Sequence, residues 1–250
     1  MQYSELHCIT NFTFLRGASH PHELVTMASN LGYRALAITD ECSLAGVVKA
    51  HVATFNRNIK LIIGSEFKID SHKVIVLVTN RNSYSKLSSL ITLARRRSKK
   101  GSYQIKWSDL KFNNDGLLII WLPCGDFKKD QLIISQLHDW FERRLWIGFH
   151  NLLNGTETSH LSYLQKLSLL WKVNVVACGD VHMHKKDRQP LQDVLTAISQ
   201  KCSIMELGKS RYPNSERYLR KIEYLKNIYP EELMRETINI SNLCNFSLNE

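Results

Sequence analysis

The sequence has no run of about 18 consecutive apolar residues, which excludes a transmembrane helix. Its opening, MQYSELHCITNF, is polar and mixed and lacks the charged-then-apolar order of a signal peptide. Six cysteines, at positions 8, 42, 124, 178, 202 and 244, include no CxxC pair. That scatter argues against a zinc ribbon and against a disulfide framework, and a reducing cytoplasm is the simplest compartment. There is no GxxxxGK[ST] phosphate loop, no GxGxxG fingerprint and no GxSxG elbow, so nucleotide binding of those types and serine-hydrolase chemistry have no support. Internal repeats and low-complexity tracts are absent as well.

What remains is an ordinary globular composition, 44% hydrophobic and 22% charged, with a formal charge of +10. The excess of cations favours a nucleic-acid partner through phosphate neutralisation. Its densest run is Arg95, Arg96, Arg97, Lys99 and Lys100. Phosphate contact is one reading of that run. The other is a solvated helix C-terminus whose cations complement the helix dipole.

Apolar, β-rich runs recur along the chain: Leu6–Thr10, Ala35–Thr39, Lys60–Phe67, Lys73–Val78, Leu117–Leu122, Leu145–Phe149 and Asn174–Cys178. Amphipathic segments near 20–32, 43–58, 83–99, 129–142, 157–172 and 187–201 separate them and predict helices. The alternation predicts an α/β fold with a mainly parallel sheet. The link 68–72 is too short for a crossover and predicts a hairpin. Polar residues collect at successive strand ends: His7, Asp40-Glu41, Glu66, Cys124, His150, and Asp180 with His182. A barrel would bring such ends to one mouth, so a distorted (β/α)7 barrel over 1–204 is expected. Residues 205–250 read as a helical connector packing on it.

Gly179-Asp180-Val181-His182-Met183-His184 is the sharpest local feature. On an extended chain, Asp180, His182 and also His184 share a face, and Asp with His suits Zn, Mn or Fe. His20 and His22 flank Pro21 at a helix start and read as capping or surface residues. His138, His150 and His160 read as packing or surface, and Trp121, Trp140, Trp146 and Trp171 as core.

LHCITNFTFLRGAS, YRALAITDECSLAGVVKAH, IIGSEF and VVACGDVHMH…LQDVLTAI, in that order, resemble the motifs of the PHP domain that opens bacterial C-family DNA polymerase alpha subunits. The wording ELHC, TDE and GDVHMHKKDRQPLQDVLTAI is most similar to the error-prone, translesion branch. The ending, ERYLRKIEYLKNIYPEELMRETINISNLCNFSL, resembles that branch's link to the polymerase proper.

The resemblance implies about nine ligands around as many as three metal ions. His7, Glu66, Cys124, Asp180 and His182 keep theirs, and Glu41 alters one. Three are lost. Ile9 stands in place of the second histidine of HxH, Arg16 in place of an acidic or His ligand, and Lys73 in place of a histidine. His72 is one residue out of phase and should face the other way. The survivors suffice for one Zn or Mn ion, and a vestigial hydrogen-bonded cluster accounts for them equally.

By resemblance, then, the expected function is the PHP domain of an error-prone DNA-directed DNA polymerase. Such a domain would itself be structural, with the Mg²⁺-binding polymerase aspartates absent from these residues and the chain continuing past residue 250. DNA would be met through the parent polymerase. Other mutagenesis-cassette proteins or the sliding clamp are the further partners implied, with no membrane. The alternatives are a PHP-type metal-dependent phosphoesterase or 3′–5′ exonuclease, and a pure interaction module.

Overall fold

A computed structural model describes residues 2–250. Seven strands follow one another around a single sheet in sequence order: β1 (Ser4–Glu5), β2 (Ala35–Ile38), β3 (Lys60–Ile69), β4 (His72–Val78), β5 (Leu117–Leu122), β6 (Leu145–His150) and β7 (Val175–Cys178). The neighbours pair in parallel except β4, which is antiparallel to both β3 and β5. The expected hairpin is the β3–β4 connection, turned by Asp70 and Ser71 with Asp70 at φ +54°.

β1 is shorter and earlier than the apolar run Leu6–Thr10 predicts. Its ladder with β2 stops at Glu5, although Thr39 N–H still donates to Cys8 C=O at 2.8 Å, and the following residues also bond across the seam to the end of β7. Val181 N–H donates to His7 C=O, and Ile9 N–H donates to Val181 C=O, both at 2.9 Å. That exchange nearly closes the barrel. Glu5 fixes the same seam from the outer, helix-covered side, with one carboxylate oxygen accepting from His7 N–H at 3.0 Å and Gly179 N–H at 2.9 Å. A Cβ at Gly179 would lie 2.3 Å from Glu5 Oε2, so only glycine fits there.

Strand alternation divides the apolar residues into two cores. Ala35, Ala37, Ile62, Ile75, Leu77, Leu118, Ile120, Val176 and Cys178 fill the barrel. Leu36, Ile38, Ile63, Val74, Val76, Ile119, Trp121 and Ala177 face outward under the helices. The helices are α1 (Pro21–Asn30), α2 (Val47–Thr54), α3 (Arg81–Arg96), α4 (Trp107–Phe112), α5 (Phe127–Phe141), α6 (Glu157–Trp171), α7 (Gln189–Gln200), α8 (Ile222–Ile228) and α9 (Glu231–Leu243). α4 and α8 are one to two turns long, too short for a periodic signal; the sequence reading missed α4 and gave α8 only as part of the helical connector.

α9 covers one mouth of the barrel. Ile240 and Cys244 join the inner core. Its edges are held by Ser4 N–H to Thr237 Oγ1 at 3.1 Å, Lys60 Nζ to Ser241 C=O at 2.6 Å and Trp146 Nε1 to Glu236 at 2.9 Å. These contacts all lie at the strand ends opposite the one where His7, Glu66 and Asp180 gather.

Candidate metal centre and its internal cations

His7, Glu66 and Asp180 present ligand atoms within 4.8 Å of one another at the open mouth, and all three are buried. His7 Nε2 donates to Glu66 Oε2 at 2.6 Å, which leaves Nδ1 to accept from His150 Nε2 at 3.0 Å. The two imidazoles stack, 5.1 Å between centroids. His182 Nε2 lies 3.2 Å from Asp180 Oδ1. Those two side chains meet although the chain is not extended there: Asp180 adopts φ +46°. His184 lies away from the cluster, its Nδ1 bonding Ser19 Oγ at 2.8 Å.

Three cations from the chain itself stand among these ligands. The Arg16 guanidinium bridges Glu41 and Glu66, at 2.8 Å from Glu66 Oε1. Lys73 Nζ lies 3.5 Å from Glu66 Oε2. Arg217 is ion-paired with Asp180 and stacks on Tyr212 at 4.6 Å. Glu41, Glu66 and Asp180 are thus matched by Arg16, Lys73 and Arg217, with half-exposed Lys68 as a further cation 3.7 Å from Glu41. Both oxygens of Glu66, fully buried, are already engaged.

The electrostatics follow. Burial pushes the Glu66 carboxyl up, but the Lys73 ammonium, the His7 hydrogen bond and the Arg16 guanidinium outweigh it, leaving Glu66 well below the usual carboxylate range. Burial and then the Arg16 charge lower Arg217 to about 10. Burial also lowers His7, His150 and His182, the last two far below their ordinary value with Lys73 adding to the effect. Unfolded, each of these histidines takes a proton near pH 6.5, whereas the folded barrel refuses it until lower pH. Their stabilisation is complete above about pH 6.5 and is lost as pH falls, by up to ~1.4 kcal/mol per pH unit for each ring. Glu66 adds to the loss only below the ordinary carboxylate range. Urea midpoints measured from pH 8 down to pH 5 should therefore decline steadily below about 6.5. A flat profile across that window would contradict this picture of the rim.

The remaining candidates fall elsewhere. Asp40 of the TDE motif organises the preceding loop, accepting from Thr10 N–H and Thr13 Oγ1, both at 2.7 Å. Glu41 lies at the outer edge, where Tyr103 donates to it at 2.8 Å. Cys124 does not join the rim. The chain turns outward after β5 so that Asp130 of α5 can capture the Cys124 and Gly125 N–H groups, and the thiol groups with His72 and Asp130 instead. His72 and Lys73 do face opposite ways, as a strand requires. In the basic run, Arg95 donates to the carbonyls of Glu41 and Cys42, and Arg97 pairs with Asp109 while remaining exposed. Arg96, Lys99 and Lys100 are exposed. The reading of His150 as a packing residue missed its place against His7, and Arg217 lay hidden in the connector.

A family model for the PHP domain matches residues 5–144. The chain belongs to the PHP family. Curated proteins named "Error-prone DNA polymerase" resemble it over its whole length, with 46% identity in Saccharophagus degradans, 47% in Methylococcus capsulatus and 43% in Pseudomonas aeruginosa. These matches cover 99–100% of this chain but only 24% of each relative, so the chain spans about a quarter of their length. A solved structure described as a putative metal-dependent phosphoesterase from Bifidobacterium adolescentis superposes with a TM-score of 0.53 at 17% identity, over 72% of this chain and 88% of that one. An amidohydrolase from Chromobacterium violaceum gives 0.52 at 14%, over 72% and 87%. These two share the fold.

The PHP rim of this chain does not fit a cluster of metal ions. The carboxylate oxygens that would bridge ions accept from Arg16, Lys73, Arg217 and His7, and a divalent cation beside two guanidinium groups would be repelled. Ile9 is fully buried and offers no donor in place of the second HxH imidazole. No helix among the described residues is long and apolar enough to cross a membrane.

Proposed function

We propose that this PHP domain is the N-terminal scaffold of an error-prone DNA polymerase acting in translesion repair synthesis, with its rim held by internal ion pairs in place of metal. Support comes from 43–47% identity along the whole chain to proteins of that name. The observation that carries the scaffold role is the match of Arg16, Lys73 and Arg217 to Glu66, Glu41 and Asp180. Nucleotide addition, with its Mg²⁺, belongs to the parent protein beyond these residues, and DNA is met through that parent. Residues 205–250 then serve both as the barrel's floor and as the lead toward the polymerase core. Arg96, Lys99 and Lys100, exposed and without an acidic partner among the described residues, are the members of the basic run best placed for template phosphate. A phosphoesterase or 3′–5′ exonuclease would need the ligands that Ile9, Arg16 and Lys73 displace.

The polypeptide encoded by the complete reading frame is expected to extend a primed template with Mg²⁺. Residues 1–250 alone are expected neither to extend the primer nor to hydrolyse phosphodiesters with Mn²⁺ or Zn²⁺. Hydrolysis by residues 1–250 that Asp180→Asn abolishes would replace this reading with the phosphoesterase one.

A further inference from the structure

A second group of ligand types lies outside the barrel wall. His72 starts β4 on the face opposite Lys73, Cys124 follows β5, and Asp130 stands in the first turn of α5. One atom of each lies within 4.8 Å of the other two. Asp130 is fully buried and His72 is 3% exposed, while the Cys124 thiol is at the surface.

Charge sets this group apart from the rim. At the rim every carboxylate has a lysine or arginine. Asp130 has none; its partners are the Cys124 and Gly125 N–H groups at 3.0 and 2.9 Å, Tyr163 Oη at 2.6 Å and His72 Nε2 at 2.9 Å. The other ring nitrogen of His72, Nδ1, is buried with no hydrogen-bond partner among the described residues. A fully buried carboxylate is thus held by hydrogen bonds with no lysine or arginine beside it. Burying a charge without a full opposite charge is costly. The geometry is also fixed in advance. The His72 ring is packed by Trp121, stacked at 5.8 Å, and Trp107, edge-on at 5.6 Å, and Asp130 is oriented by two backbone N–H groups and a tyrosine. For the carboxylate, such hydrogen-bonded outer partners are what a metal ligand requires.

We propose that His72, Cys124 and Asp130 bind one thiophilic divalent cation of the zinc class, with solvent completing the coordination. One sulfur, one imidazole nitrogen and one carboxylate oxygen make a set suited to Zn²⁺, and three protein ligands leave the fourth position open. The exposed thiol provides the entry path. Binding takes Cys124 as thiolate, its proton passing to solvent, so affinity falls as pH falls. The site is independent of the polymerase reading and of the rim.

Titration of the purified chain with Co²⁺ tests it. A near-ultraviolet thiolate-to-cobalt absorption is expected to saturate at one equivalent, to bleach on adding Zn²⁺, and to fall to baseline in Cys124→Ser. It should persist in the rim variant Glu41→Gln, and Tyr163→Phe should weaken Zn²⁺ binding by about tenfold through its hold on Asp130. Cys124 is exposed, so Cys124→Ser keeps the fold, and circular dichroism verifies this. In the parent chain, Zn²⁺ should also slow alkylation of Cys124. Absence of the cobalt band at equimolar metal, or a band of undiminished strength in Cys124→Ser, would overturn the site.

Discussion

Arg16→Ala is expected to lower the unfolding free energy by about 3–5 kcal/mol, the usual consequence of removing one partner from a buried ion pair. Glu66 has no exposure, and Arg16 is its link to Glu41. Without the guanidinium, Oε1 of Glu66 keeps its charge and loses its donor. Lys73 and His7 both lie at Oε2 and do not replace it. In a domain of this size the loss amounts to roughly 10 °C in melting temperature. Arg16→Lys should recover only part of it, because one ammonium does not reproduce the fork that spans two carboxylates. Thermal and urea unfolding of both variants read this out. A change in Arg16→Ala within about 0.5 kcal/mol, the level of an ordinary surface substitution, would mean the bridge contributes nothing.

A chain cut after residue 204 is expected to lose cooperative unfolding altogether. The sequence alone places the barrel within 1–204, yet the inner core is completed by Ile240 and Cys244 of α9. The cut also removes Arg217 from Asp180 and the fully buried Arg220, whose guanidinium donates to Asn151 C=O at 2.8 Å. Tyr229 goes with them. Its hydroxyl donates to Cys178 C=O at 2.7 Å and accepts from Asn151 N–H at 3.0 Å, tying the ends of β6 and β7 together. With one mouth of the barrel opened to water and Asp180 unpaired, the product should keep far-ultraviolet dichroism, lose near-ultraviolet dichroism and bind a hydrophobic dye. A sharp two-state melt of residues 1–204 would show that the later residues are a connector only.

The strands were legible because each is a compact apolar run bounded by polar residues, and all but the first lie close to the expected positions. β1 was displaced because its ladder with β2 covers Ser4–Glu5, while His7 and Ile9 close the seam with the chain after β7, a contact across more than 170 positions that local pattern does not encode. The opposite facing of His72 and Lys73 followed from the two-residue period of a strand. At the site, the motif order identified His7, Glu66, Asp180 and His182, and the substitutions Ile9, Arg16 and Lys73 were readable as losses of ligand. Their positive role was not readable. That Arg16 reaches two carboxylates depends on the loop around Thr13 and Asp40, and that Arg217 reaches Asp180 depends on the chain returning to the rim after α7. His150 was noticed at its strand end, but a histidine ending an apolar strand is as often packed as functional, so its contact with His7 was not readable. Cys124 was assigned to the rim by resemblance, and the outward turn set by Asp130 places it elsewhere.

Crystals of the chain soaked in Mn²⁺ or Zn²⁺ and measured at the metal absorption edge address the rim most directly, because anomalous peaks locate each ion and separate the rim from the His72–Cys124–Asp130 group. The expected result is no peak among His7, Glu66, Asp180 and His182, with Arg16 still bridging Glu41 and Glu66. Two or three ions coordinated by those side chains, with Arg16 and Arg217 swung aside, would contradict the claim that the rim is held by the protein's own cations.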